Sequence, residues 1–387
     1  MTADAFIPFA LPDLSEGEIE AVVEVLRSGW ITTGPKVKEF ERRFGGAVGA
    51  GHCVAVNSCT AALHLALEAV GVRAGDEVIL PTLTFAASAE VVRYLGAVPV
   101  LVDVRPSDHN VDPAAVERAL TPRTRAIMPV HFAGVPADMD DINALARPRG
   151  IAVVADCAHA FPCQYRGRNV GTLADVSCFS FYATKTMTTG EGGAAVTENP
   201  EWTARMQVMA LHGISRDAWK RYTAEGSWRY EILAPGYKYN LTDIAAAMGL
   251  VQLARAGEML ARRASVAAKY DDAFGRLDAF ELLGCPPDRT HARHLYVLRL
   301  VPAALRIGRD AFMDELKRHR IGASVHFIPL HQHPYYRDTF GYRPESLPVA
   351  RELFERSVSL PLFSAMGDEQ VDRVIEVVRA LARTHGR

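Results

Sequence analysis

Two residues in the middle of the chain have the types and spacing to do chemistry. Asp156 ends an apolar run, Ile151 to Ala155, and Lys185 follows another, Val176 to Tyr182, with Gly190, Gly192 and Gly193 just beyond it. Short buried strands over these runs bring the carboxylate and the amine to one edge of a sheet. An acid and an amine fixed across one pocket suit pyridoxal phosphate, whose ring nitrogen takes an anionic partner and whose aldehyde takes a lysine. Lys185 is then the Schiff-base residue and Asp156 the partner of the pyridine nitrogen. Each also has an ordinary alternative, since an acid at a strand end commonly caps a helix and a lone lysine is usually a solvated surface charge.

The neighbouring segments add to this pair. Cys53 to Val56 reads as a strand and Ala61 to Val70 as a helix ending at Gly71, which makes Asn57-Ser58-Cys59-Thr60 a strand-to-helix junction. Ser58 and Thr60 are natural caps, and the same geometry, with the backbone near Cys59, offers free N–H groups and a favourable dipole to a phosphate. Phe85 stands where the strand Glu77 to Leu80 gives way to a helix, a place for core packing or for stacking on a planar ring. His159, three residues after Asp156, can meet a ring hydroxyl or serve the structure; His131 is assigned no catalytic part. Ser180, five residues before Lys185, can offer its hydroxyl to a phosphate. Tyr182 and His331 are candidates for touching the substrate. His331-Gln332-His333 lacks the cysteine partners or the H-E-x-x-H helix of a metal site, so no metal is expected.

These residues need a scaffold, and the order of elements predicts one. Strands and helices alternate through the first half of the chain, which argues for a mainly parallel sheet with helices on both faces and a site beyond the carboxyl ends of the strands. Ala194 to Thr197 reads as an antiparallel return strand. A helical pattern runs from Asp243 to about Phe274, with a large α/β domain expected over residues 1–250 and a smaller α+β domain over 251–387. The latter takes a strand at Leu295 to Val301, a helix at Arg309 to Arg320, an extended stretch at Ala323 to Ile328 and a closing helix from Asp368. Residues 212–240 lack periodicity and read as a lid or a subunit contact, a second candidate for contacting substrate.

The bulk composition removes several classes of function. Of 387 residues, 49% are apolar and 23% charged, as in ordinary soluble globular proteins, and two domains are expected for that length. The net charge is −2, with no long run of one sign, so neither nucleic acid nor an anionic membrane is implied. No basic start precedes a sustained apolar core and no 18 consecutive apolar residues occur, which points to the cytoplasm. Six scattered cysteines without a C-x-x-C pair are expected to be reduced and mostly buried.

Taken together, NSCTAALHLAL (57–67), PTLTFAAS (81–88), ADCAHA (155–160), FSFYATKTMTTGEGG (179–193), GYKYNLTDIAAA (236–247) and VHFIPLHQHPYY (325–336) resemble the DegT/StrS nucleotide-sugar aminotransferases, a group within the fold-type I pyridoxal phosphate enzymes. The resemblance covers nearly the whole chain. It implies Lys185 as the lysine bonded to the cofactor, Asp156 on the pyridine nitrogen, His159 on the ring hydroxyl, Thr60 and Ser180 on the phosphate, and Phe85 against the ring. It also implies a homodimer in which Asn240 reaches the phosphate of the neighbouring subunit. The position of His159 is often Gln in the family, and Cys59 stands where a small residue is common. PVHFAGVPADMD and APGYKYNL are similar to the UDP-4-amino-4-deoxy-L-arabinose branch. The implied reaction moves an amino group from L-glutamate to the 4-keto group of a nucleotide-linked sugar, a dTDP-4-keto-6-deoxyhexose or a UDP-4-keto-pentose. A keto-cyclitol aminotransferase and a PLP-binding regulator without turnover are the alternatives.

Overall fold

The computed structural model describes residues 5–215 and 230–387; the part of the irregular stretch from 216 to 229 lies outside the described residues. Seven strands, β1 (His52–Val56), β2 (Glu77–Pro81), β3 (Val98–Val102), β4 (Thr124–Ile127), β5 (Ala152–Asp156), β8 (Val176–Ser180) and β9 (Gly193–Thr197), form one sheet. The hairpin β6 (Gln164–Tyr165) and β7 (Arg168–Asn169) is separate, and the order in the sheet is β1-β9-β8-β5-β4-β2-β3. All neighbours from β8 through β3 are parallel, and β9 alone runs against its neighbours β8 and β1.

A parallel sheet must be covered on both faces, because the crossover helices lie on each side. Alternation along the strands shows the two faces directly. Cys53, Ala55 and Ile79 point into a core with Phe40, Phe44 and Ile142, whereas Val54, Val56, Val78 and Leu80 point into a second core with Leu63, Leu67, Val91 and Met206. The sequence reading of an α/β sheet with an antiparallel return strand therefore holds, and the carboxyl ends of β1, β2, β5 and β8 share one edge.

A third core lies around β10 (Phe280–Leu282), β11 (Tyr296–Leu300) and β12 (Ser357–Leu360), covered by the helices Arg309–Arg318 and Asp368–Thr384. β10 and β12 are absent from the sequence reading, and Ala323 to Ile328, expected to be extended, contributes only the bridge from Ser324 to Ser359. The 32-residue helix Asp243–Phe274 joins the two parts, and the expected boundary at residue 250 falls inside it. Its N-terminal Asp243 carboxylate accepts from the backbone N–H groups of Gly34 (2.8 Å), Lys36 (3.2 Å) and Val37 (3.0 Å), the start of the helix Pro35–Val48, where a negative charge meets the positive end of the dipole. At its other end Val266, Ala267, Tyr270 and Phe274 enter the third core. By length and apolar content this helix could cross a membrane, yet Asp243, Gln252 and Arg263 along it are buried and bonded to protein. Ile7 also packs in the third core, held to Arg320 and Gly322 by backbone bonds of 2.9 and 2.8 Å, so the first described residues join the smaller part.

Candidate active site

Asp156 is the last residue of β5, and its side chain closes the strand's carboxyl end at 5% exposure. One carboxylate oxygen accepts from the Ala158 amide (3.0 Å) and the other from the Ser88 hydroxyl (2.8 Å), which is itself 2.9 Å from the hydroxyl of Thr84. Burial pushes this carboxyl above its ordinary range, while the Ala158 N–H, the Ser88 hydroxyl and the charge of Lys185 pull it back. The partner that best satisfies such a group is a cationic N–H donor.

β8 is the next strand, with Cys178 opposite Asp156, and the turn after Ser180 carries Lys185, whose backbone N–H bonds the Tyr182 carbonyl at 3.0 Å. The acid and the amine thus rise from adjacent strands. Nζ of Lys185 lies 3.5 Å from Nε2 of His294 and forms no ion pair among the described residues. Burial lowers its pKa to about 8; Cys59 and Asp156 favour the charged form and Arg263 opposes it. A buried amine that sheds its proton near neutral pH is a nucleophile.

His159 accepts from the Ala133 amide at Nδ1 (3.3 Å), so its neutral form carries the hydrogen on Nε2 by assignment from that bond. Its ring stacks on Phe327 at 5.9 Å and tilts against His294 at 4.3 Å. Burial, then the charge of Lys185, hold it well below the usual histidine range.

Ser180 faces Gly193 across the ladder, and Gly193 faces Val56, so the ends of β8, β9 and β1 converge on the Ser58–Thr60 turn. A Cβ at Gly193 would come within 2.4 Å of the Ser58 carbonyl carbon and 2.5 Å of the Cys59 nitrogen, so only glycine lets β9 run against that turn. Ser58 is the N-cap of the helix Cys59–Ala69, its hydroxyl accepting from the Ala61 amide at 3.1 Å. The hydroxyl of Ser58 is therefore committed to the cap, whereas that of Thr60 has no partner among the described residues. Ser180 accepts from the Tyr182 amide at 3.3 Å, and the Cys59 thiol lies 3.7 Å from the Cys178 carbonyl.

Phe85 is 63% exposed, which rules out the core-packing alternative, and its ring sits 6.0 Å from that of Phe327. Tyr182 is half-exposed at the same edge. Asn240 bridges its own chain's Val56, and its amide donates to the Thr33 hydroxyl at 2.7 Å.

His331 is fully buried, with Nδ1 2.9 Å from the Thr82 hydroxyl and Nε2 3.3 Å from the Pro344 carbonyl, and its backbone N–H donates to Thr82 at 3.2 Å. Both ring nitrogens are thus bonded within the fold. His131 is likewise buried, accepting from the Ala137 amide at 3.0 Å. No described group of three His, Cys, Asp or Glu residues has the geometry to hold a metal, and all six cysteines are free, with Cys285 exposed.

Three residues at the site went unassigned in the sequence reading. Ser88 stands in PTLTFAAS, three residues after Phe85 and so on the same side of one helix turn, which was a usable signal. His294 and Arg263 come from the second half of the chain, where nothing in the spacing ties them to Lys185.

The donor set fits pyridoxal phosphate: a fixed carboxylate, an amine without an ion pair among the described residues, an exposed aromatic ring, and a helix N-terminus beside two hydroxyls. Comparison with known proteins gives the same direction. The family model "DegT/DnrJ/EryC1/StrS aminotransferase family" matches residues 12–379. The spore coat polysaccharide biosynthesis protein SpsC of Bacillus subtilis is 46% identical over 379 residues, 98% of this chain and 97% of the relative. Spr1654 of Streptococcus pneumoniae in its PLP form is 37% identical with a TM-score of 0.91, covering 98% of this chain and 99% of that one. The sugar aminotransferase CalS13 of Micromonospora echinospora is 31% identical with a TM-score of 0.86, covering 97% and 99%. With the match running over residues 12–379 and through every element that builds the edge around Asp156 and Lys185, the chain belongs to the DegT/DnrJ/EryC1/StrS aminotransferase family.

Proposed function

We propose that the protein is a cytoplasmic, pyridoxal-phosphate-dependent sugar aminotransferase that moves the amino group of L-glutamate to the 4-keto group of a nucleotide-linked sugar, a dTDP-4-keto-6-deoxyhexose. The observation that carries the reaction type is the part-buried amine of Lys185, free of any ion pair among the described residues, beside the hydrogen-bonded carboxylate of Asp156. The names of SpsC, which concerns polysaccharide biosynthesis, and of CalS13, a sugar aminotransferase, support a sugar substrate.

When bound, pyridoxal phosphate supplies an aldehyde that condenses with amines and a ring that accepts electron density from a carbon losing its proton. Lys185 would hold that aldehyde through Nζ, and the same Nζ would be the group that takes a proton from the donor's α-carbon and returns one to the keto-sugar carbon in the opposite half-reaction. Asp156 would hold the pyridine nitrogen in its protonated form. His159 would offer its Nε2 hydrogen to the ring hydroxyl oxygen, and Phe85 would take a face of the ring. Thr60, Ser180 and the backbone N–H groups at Cys59 take the phosphate at the positive end of the helix Cys59–Ala69. Tyr182 lines the entry used by the sugar. The working unit is a homodimer, with Asn240 serving the phosphate of the neighbouring site.

The test is a panel of 4-keto sugars bearing dTDP, UDP or GDP, offered with L-glutamate and followed by formation of 2-oxoglutarate. Turnover is expected with the dTDP-hexose above the others. Turnover only with the UDP-pentose reassigns the substrate, and turnover only with a free keto-cyclitol, or none at all, overturns the reading.

A further inference from the structure

Among the described residues, the one hydrogen-bond contact of the Lys185 amine is a histidine from the other half of the chain. His294 lies in the turn that leads into β11, is buried, and brings Nε2 to 3.5 Å from Nζ, while its Nδ1 is buried without a partner. Two separate segments fix its place. Its backbone N–H donates to the Ala133 carbonyl at 3.2 Å, and the amide of that same Ala133 donates to His159 at 3.3 Å, so one residue ties both imidazoles. Arg263, from the long helix Asp243–Phe274, donates to the Leu362 carbonyl at 2.8 Å and reaches the carbonyls of Arg293 and His294 at 3.4 Å. Gly134 threads between them, since a Cβ there would meet the His159 carbonyl at 2.8 Å and Ala292 at 2.9 Å. This much construction around a side chain with one available contact marks that contact as the purpose of the arrangement.

We propose that His294 is the positioning residue for Lys185: Nε2 accepts a hydrogen bond from Nζ and holds the amine at the sheet edge, with the ring hydrogen on Nδ1. The proposal rests on Lys185 being the reactive amine of the reading above. An acceptor at this distance favours the ammonium over the free amine and so offsets part of the effect of burial. The other groups facing Nζ are accounted for. Asp156 and Cys59 act in the same direction, and Arg263 opposes them. The imidazoles of His159, His294 and His326 are held neutral by burial, His326 at about 4, so Lys185 is the group that changes charge across the alkaline range.

Competitive labelling of the cofactor-free protein with acetic anhydride, read as the modified Lys185 peptide by mass spectrometry across pH, reports the amine without any turnover. The wild-type midpoint is expected near 8. His294→Phe should move it down by on the order of one pH unit, since only the acceptor is lost, and His294→Gln, whose carbonyl can accept, should restore most of the difference. An unchanged midpoint in a folded His294→Phe protein, or one displaced upward, overturns the proposal. A second measurement needs no variant to fold: 15N spectra of histidine-labelled wild-type protein, with His294 assigned through its contact with the His159 ring, should show the Nδ1–H tautomer. An Nε2–H tautomer overturns the pairing equally. Borohydride trapping separates the two levels, because failure to find cofactor on Lys185 removes the functional reading while leaving the labelling result as it stands.

Discussion

The Asp156–Lys185 edge and the His331 network are both buried, polar and built on side chains whose pKa values burial displaces, and they differ in what is left unbonded. Around His331 both ring nitrogens, the Thr82 hydroxyl and the Pro344 carbonyl close on one another. At the sheet edge the Lys185 amine has a single long contact, Nδ1 of His294 has none, and Phe85 shows most of its ring to solvent. Unpartnered nitrogens also occur at His109 and His131, so what sets the edge apart is that a carboxylate, an amine and an exposed ring are available together there. A displaced pKa alone would not have separated the two regions, since burial lowers both His159 and His331.

If that difference is functional, substitutions at the edge must act on turnover. Lys185→Ala should have the largest effect, a loss of at least about 10³-fold in transamination with borohydride labelling abolished, because the group that moves the proton is gone. Activity retained within tenfold would break the comparison outright. Asp156→Asn comes next. It keeps the shape and the lysine link but removes the charge behind the ring nitrogen, with an expected loss of roughly 10²- to 10³-fold, as when a preorganised electrostatic partner is removed. Cofactor should still be retained on Lys185 in this variant, which absorbance of the purified protein will show. Ser88→Ala acts through Asp156 and should cost about tenfold, the value of one hydrogen bond to a charged group. The sign of its pH effect is also fixed. The Ser88 hydroxyl favours the ionised carboxylate, so without it the Asp156 pKa rises further and the acid limb of the rate profile moves to higher pH. An acid limb that stays in place would show that Ser88 does not tune the carboxylate.

The sheet was legible in the sequence because its information is local. Apolar runs such as Val78 to Leu80, each followed by a helical period, determine strand type and sheet direction. Long periodicity served as well for the helix from Asp243 to Phe274. The short strands β10 and β12 were not legible: a three- or four-residue strand exists only because β11 offers it a partner, and pairing between residues about 20 apart for β10 and about 60 apart for β12 leaves no trace in spacing. The site divides in the same way. Thr60, Phe85, Asp156 and Ser180 all stand at or just beyond strand ends, a rule that can be applied to sequence. His294 and Arg263 reach Lys185 only through tertiary packing. His331 carries no such positional signal, since a histidine beside other polar residues looks alike whether it serves a ligand or a loop.

His331→Ala is the smallest perturbation of activity and the one that best sharpens the distinction. Removing the ring takes away its bonds to the Thr82 hydroxyl and to the carbonyl of the exposed Pro344, while the backbone N–H of residue 331 still donates to Thr82, and each lost neutral hydrogen bond costs about 0.5–1.5 kcal/mol. The loop after Pro329 is joined to the end of β2 by these bonds and by the Leu330 amide on the Thr82 carbonyl at 2.8 Å, so the loss should appear as a lower denaturant midpoint. Once the protein is folded, nothing at the Asp156–Lys185 edge has changed, and kcat/KM should stay within about threefold of wild type, as for packing changes remote from a site. Denaturant titration and steady-state kinetics on the same preparation read both quantities. A variant of normal stability whose KM for the sugar rises a hundredfold would place His331 against substrate after all, and would show that a fully bonded histidine can exchange its partners for a ligand.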